Sequence, residues 1–153
     1  MDILNIGKVL WLNRATGEHR HKGQTGGTLG YAQVIASQTG ISAEVALTGL
    51  SVTVNVAENR RIKISAATLL RGSVDGDRFA LRIKEGTTQL QGVEIKVNTV
   101  AYEPYQPTVA ITPSAGTHTY YLALGIIAGT GTIDSAASTA APAFILVEDI
   151  GAA

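Results

Sequence analysis

No cysteine occurs in the 153 residues, which excludes disulfide staples, thiolate metal sites and cysteine nucleophiles together. Charge is scarce as well. Asp, Glu, Lys and Arg make up 16% of the chain, against about 25% in ordinary soluble domains. The 12 basic and 12 acidic residues cancel, so no net field draws the chain to nucleic acid or to an anionic membrane. Aromatic residues are few, at 5%, too thin for the stacking platforms that single-strand nucleic-acid binders use. No apolar run approaches the roughly 18 residues that cross a bilayer. Met1–Lys8 lacks the basic start and apolar stretch of a secretory signal, so the chain is expected to be made in a cytoplasm and to stay soluble or join a particle. Helical periodicity is convincing nowhere. A surface with so few charges is expected to hide part of itself against neighbours.

What is present is alternation. Leu50, Val52, Val54 and Val56 are spaced by Ser51, Thr53 and Asn55. Ile62 and Ile64 flank Lys63; Phe79, Leu81 and Ile83 are followed by Val93, Ile95 and Val97, then Val109 and Ile111. Tyr120, Leu122 and Leu124 come next, and Phe144-Ile145-Leu146-Val147 last. A period of two marks strands with one buried and one solvated face. Turn chemistry separates them at Glu58-Asn59, Val74-Asp75-Gly76-Asp77, Glu85-Gly86, Thr112-Pro113-Ser114-Ala115-Gly116 and Gly129-Thr130-Gly131. About eight or nine strands so spaced predict an all-β fold, a single jelly-roll-like β-sandwich over residues 28–153. The alanine-rich segment 135–143 contains Pro142 and is expected to cross irregularly to the last strand.

A search for catalytic chemistry yields little. His118 stands at a strand start, with no Gly-x-Ser-x-Gly elbow in the chain, and is expected to face solvent or a subunit neighbour. Asp75-Gly76-Asp77 lacks the alternating acidic ligands of a calcium loop and reads as a turn. Glu148 and Asp149 are adjacent, so on a strand they point to opposite faces and cannot flank one glycosidic bond. Arg60, Arg61 and Lys63 form a small basic patch, with Arg71 and Arg78 as potential neighbours. Tyr102 and Tyr105 flank Pro104 and are the candidate outer-surface aromatic contacts, whether for a subunit neighbour or for a glycan. No catalytic residue is assigned, and the chain is expected not to be an enzyme.

Residues 1–27 differ from the rest and read as an extended N-terminal arm. Ile3, Leu4, Ile6, Val9, Leu10 and Trp11 form two short apolar clusters. They need a partner: the chain's own body, a sister subunit or a larger particle. His19 and His21 follow, then a glycine break. On an extended segment residues two apart share a side, so the pair is either a solvated polar linker or half of a metal site. Three chains around an axis would supply six imidazoles, a set that suits iron or nickel better than tetrahedral zinc. Such an ion would be structural, since six protein ligands leave no position for substrate. No cofactor is otherwise required.

His19-Arg20-His21 followed by Lys22-Gly23-Gln24-Thr25-Gly26-Gly27 resembles the His-x-His-x-Gly junctions of tailed-bacteriophage fibre and spike proteins. The body is similar to a β-domain of virion surface proteins from phages of actinobacteria. The stretches that carry this are Leu29–Val34, Leu47–Val54, Arg60–Ile64, Leu81–Gly86 and Phe144–Gly151. The resemblance implies a homotrimeric component of the virion surface, made in the host cytoplasm: a head decoration protein, a head fibre or a minor tail protein. It further implies an axial metal held by His19 and His21 of three chains. The arm would dock on the major capsid protein or a tail protein, and the outer domain could meet a host-surface glycan. The strand pattern also resembles the C1q and tumour-necrosis-factor jelly rolls, by analogy of fold alone. Long fibres carry shaft repeats, which are absent here, so a compact knob is expected.

Overall fold

The computed structural model describes residues 10–12, 19–21, 26–97, 99 and 101–153, and every regular element among them is a strand. Strands β1 (Leu10–Leu12) and β2 (His19–His21) pair antiparallel, with Leu10 opposite His21 and Leu12 opposite His19.

The body is a two-sheet sandwich. The larger sheet runs β3 (Gly27–Val34), β13 (Ala143–Ala152), β6 (Arg60–Gly72), β12 (Ile133–Ala136) and β4 (Gln38–Ile41), with β9 (Glu103–Tyr105) and β10 (Thr108–Ile111) also on β6. The smaller sheet runs β5 (Val45–Val56), β11 (Gly116–Ala128), β7 (Arg78–Glu85) and β8 (Thr88–Lys96). Because β6 is long, it serves several partners in turn. Residues 62–65 pair with both β13 and β10, and residues 69 and 70 pair with both β9 and β12.

The core lies where the alternation puts it. Leu50, Val52, Val54 and Val56 of β5 are buried against Ile62 and Ile64 of β6 and Phe79, Leu81 and Ile83 of β7. Tyr120, Leu122 and Leu124 of β11 and Ile145 and Val147 of β13 complete it. The continuous run Phe144–Val147 divides by parity: Ile145 and Val147 enter the core, whereas Phe144 and Leu146 are only half-buried on the outer face.

Three strands depart from the sequence reading. β9 contains Pro104, tolerated because the strand lies at an edge of β6. β4 is four residues long and carries no periodic signal. β12 takes Ser135 and Ala136 from the segment expected to be irregular, and buries the hydroxyl of Ser135 by pairing it with Thr68 Oγ1 at 2.7 Å. A buried hydroxyl that finds a partner loses its desolvation penalty.

One glycine sets how closely the sheets meet at this edge. A Cβ on Gly30 would lie 2.3 Å from Val52 Cγ1 and 2.9 Å from Val54 Cγ1. Gly30→Ala is therefore expected to cost about 1–3 kcal/mol as an overpacked core substitution, read as a lower urea midpoint at unchanged slope.

Candidate functional site

The outer face of the large sheet is the most distinctive surface. Cross-strand register aligns Tyr31 of β3 with Leu146 of β13 and Ser65 of β6, and Gln33 with Phe144 and Ala67. Tyr31 is 51% exposed although its ring lies 6.0 Å from that of Phe144. Beside them Ala67, Leu69, Pro104, Pro142 and Phe144 line a shallow hollow of about 170 Å³. Beside these rows Lys63 and Glu148 of neighbouring strands pair at 2.8 Å, and the exposed Arg61 stands two residues along β6 on the same side. The sequence reading missed it because Phe144 and Leu146 belong to a run that looks like core.

The basic patch expected at Arg60, Arg61 and Lys63 is largely neutralised. Arg60 donates to Asp149 through Nε at 2.8 Å and an Nη at 2.7 Å, with both side chains mostly buried. That contact holds the Asp149 carboxyl below the usual carboxylate range. Lys63 takes Glu148, Arg71 lies 3.7 Å from Asp134, and Arg78 pairs with Glu94. Glu148 and Asp149 are thus ion-pair partners, each with its own cation.

His118 does not face solvent. Opposite Val54 on the inner side of β11, it sits with Nδ1 2.6 Å from Glu85 Oε1 and Nε2 2.9 Å from the Ser114 carbonyl oxygen. Its ring stacks on Tyr120 with centroids 5.9 Å apart. The Glu85 contact, chiefly, raises the imidazole pKa against the opposing effect of burial. Beneath it the Tyr120 hydroxyl is buried with no hydrogen-bond partner among the described residues, and burial drives its pKa up.

At the other end of the sandwich Asp77 is a turn residue, as expected. Its buried carboxylate accepts the Gly131 amide at 2.6 Å, and Gly129 and Gly131 leave room for it. Of the tyrosine candidates, Tyr102 is partly exposed, but one ring face is covered by the Arg71 guanidinium 4.5 Å from its centroid. Tyr105 donates its hydroxyl to Glu103 Oε2 at 2.8 Å. Burial and that carboxylate push its phenol up to about 12.

His19 and His21 are the first and last residues of β2, and Leu10 and Trp11 belong to β1. Ile3, Leu4, Ile6 and Val9 lie outside the described residues. No group of three His, Asp or Glu side chains converges as a metal site among the described residues, nor is any helix among them long and apolar enough to cross a membrane.

No protein-family model and no curated protein matches the chain. Among solved structures it is similar to infectious bursal disease virus, Gx strain, with a TM-score of 0.50 at 11% identity, over 94% of this chain and 37% of that one. The VP2 subviral particle of the same virus gives 0.47 at 11% identity, over 94% and 42%. The carbohydrate-binding module CBM36, solved with calcium and xylotriose, gives 0.43 at 15% identity, over 77% and 98%. The chain spans well under half the length of the viral chains it matches. At such identity the likeness is one of fold alone: an all-β, jelly-roll-like sandwich.

Proposed function

We propose that the chain is a non-enzymatic structural protein of a bacteriophage virion: a homotrimer that decorates and stabilises the capsid, anchored by residues 1–27. The observation that carries it is the apolar outer face of β3, β13 and β6. Exposed contiguous apolar area of this kind marks a surface made for contact. Its occupant is a second and third copy of the chain. The Lys63–Glu148 pair beside it is internally neutral, and the low charge of the whole chain accords with a surface partly withdrawn from water.

The arm supports the number three: two histidines per chain would make a six-nitrogen set where three chains converge. That donor set, imidazole without carboxylate or thiolate, fits iron or nickel. When bound, the ion would supply a structural crosslink holding the arms to one axis. The jelly-roll fold and the resemblance of the His-x-His junction to phage spike proteins support placement on a virion surface. A non-enzymatic role accords with a sequence that carries no Gly-x-Ser-x-Gly elbow and with Glu148 and Asp149 each tied to a cation. A minor tail protein that recognises host glycans is the second reading, favoured by the outer face of the small sheet.

Light scattering of the purified protein is expected to give three times the 15.9 kDa chain mass. Elemental analysis should find about one metal per three chains, by the coordination count above, and none after His19→Ala/His21→Ala. Particles assembled without residues 1–27 should lose heat resistance. A metal-free monomer, or arm-less particles as robust as the parent, would overturn the reading.

A further inference from the structure

The outer face of the small sheet is built differently. Residues 51, 121 and 84 lie in one cross-strand row, and residues 46, 123, 82 and 92 in the next. Their neighbours Val52, Tyr120 and Ile83 are core, so Ser51, Tyr121, Lys84 and Arg82 point outward. Glu44, just before β5, accepts from Lys84 Nζ at 2.5 Å and from Arg82. The two cations are held low on the sheet, 15% and 19% exposed, where surface cations ordinarily extend into water. One glycine makes this possible: a Cβ on Gly125 would lie 2.9 Å from Glu44 Cβ and 3.2 Å from an Arg82 Nη.

Tyr121 is fixed in the same way. Its hydroxyl donates to the Gly86 carbonyl oxygen at 2.5 Å, which ties the ring to the turn between β7 and β8. An open cleft of about 370 Å³ results, lined by Glu44, Val45, Ala46, Ser51, Tyr121 and Ala123. Its volume is that of a small-ligand site. Beside it the hydroxyls of Thr53 and Thr119 bond at 2.8 Å, extending a polar track along the sheet.

The chemistry of this cleft is specific in three respects. An aromatic ring and small apolar side chains offer a flat surface to an apolar ring face. Hydroxyl and carboxylate groups border it. Behind the lining residue Glu44, Arg82 and Lys84 share its one carboxylate, which leaves one positive charge over, held in a rigid place at the edge of the cleft. We propose that the cleft binds a sugar bearing a carboxylate, of the uronic-acid class. The C–H face of the pyranose lies on Tyr121, its hydroxyls meet Ser51 and Glu44, and its carboxylate meets Lys84. One surplus charge matches one sugar carboxylate; a polyanion such as nucleic acid would need several. This site lies on the sheet opposite the assembly face and does not depend on the proposed trimer.

Calorimetric titration of the full chain with soluble oligomers of galacturonate, mannuronate and guluronate, with neutral galactan oligomers as the comparison, tests it. At least one acidic oligomer is expected to bind at least about tenfold more tightly than the neutral ones, a difference of roughly 1.4 kcal/mol, and to weaken in high salt. Tyr121→Ala and Lys84→Gln should each lower that affinity about tenfold or more, whereas Tyr121→Phe keeps the ring and should keep binding. Lys84→Gln leaves the ring in place, so it still decides the matter if Tyr121→Ala fails to fold. No binding by any acidic oligomer, equal binding of neutral ones, or binding indifferent to Lys84→Gln overturns the proposal.

Discussion

Leu146→Asp is expected to convert the protein from three times its chain mass to a monomer in light scattering while leaving the sandwich folded. In the monomer the substitution is mild, because Leu146 is half-buried on the outer face between Tyr31 and Ser65. In the trimer it would place three carboxylates at a shared apolar contact. Each unpaired ion taken out of water costs several kcal/mol, and each 1.4 kcal/mol is tenfold in affinity. Three such costs, roughly 10 kcal/mol together, exceed what one point contact returns. A cooperative melt that persists in the variant separates lost assembly from lost folding. A variant that stays trimeric would move the subunit contact off this sheet.

Raising the pH is expected to destabilise the protein through His118. Both ring nitrogens face acceptors, Glu85 Oε1 and the Ser114 carbonyl oxygen. A neutral imidazole carries one N–H and can satisfy only one of them, whereas the imidazolium satisfies both. The folded-state pKa is accordingly raised, chiefly by Glu85, above an unfolded value near 6.5. Its contribution is fully present below the unfolded pKa and fades as pH rises through the folded one. With a charge-assisted bond worth about 1.5–3 kcal/mol, unfolding free energy should fall by roughly 1–2 kcal/mol between pH 6 and pH 9. Glu85 and the Tyr120 phenol are the titratable groups around the ring, and Tyr120 stays neutral throughout because burial raises its pKa. His118→Gln should flatten the slope. An unchanged slope would mean that other groups set it.

How much of this was legible beforehand differs by feature. The core rows of β5, β7 and β11 could be read directly, because their large apolar residues recur at every second position, with only the small Ala80 and Ala123 buried between them, and each lies between clear turns. β9 and β12 were not, because their pairing is set by the length of β6 and not by any pattern of their own, and β4, four residues long, pairs only with β12. His118 was misjudged for a related reason. Glu85 is 33 positions away, and only the register that sets Tyr120 opposite Glu85 brings them together. The cleft at Tyr121 depends on Gly125 lying beside Glu44 and Arg82, a relation across strands that spacing along one strand does not reveal. The basic patch failed because its neutralising carboxylates arrive from β13, at the far end of the chain.

Gly27 pairs with Asp149, and Ala152 with Arg60, so the body begins and the described chain finishes at the same pole of the sandwich. A protein joined after Ala153 would emerge at the pole where the body begins, near Gly27. The opposite pole carries the exposed residues Ser138, Thr139 and Ala140, in a turn closed by the Ser138 amide on the Ala141 carbonyl at 3.1 Å. Exposed loop tips accept inserted sequence best. Foreign peptides for multivalent display therefore belong in that turn, at the far pole from both Gly27 and Ala152.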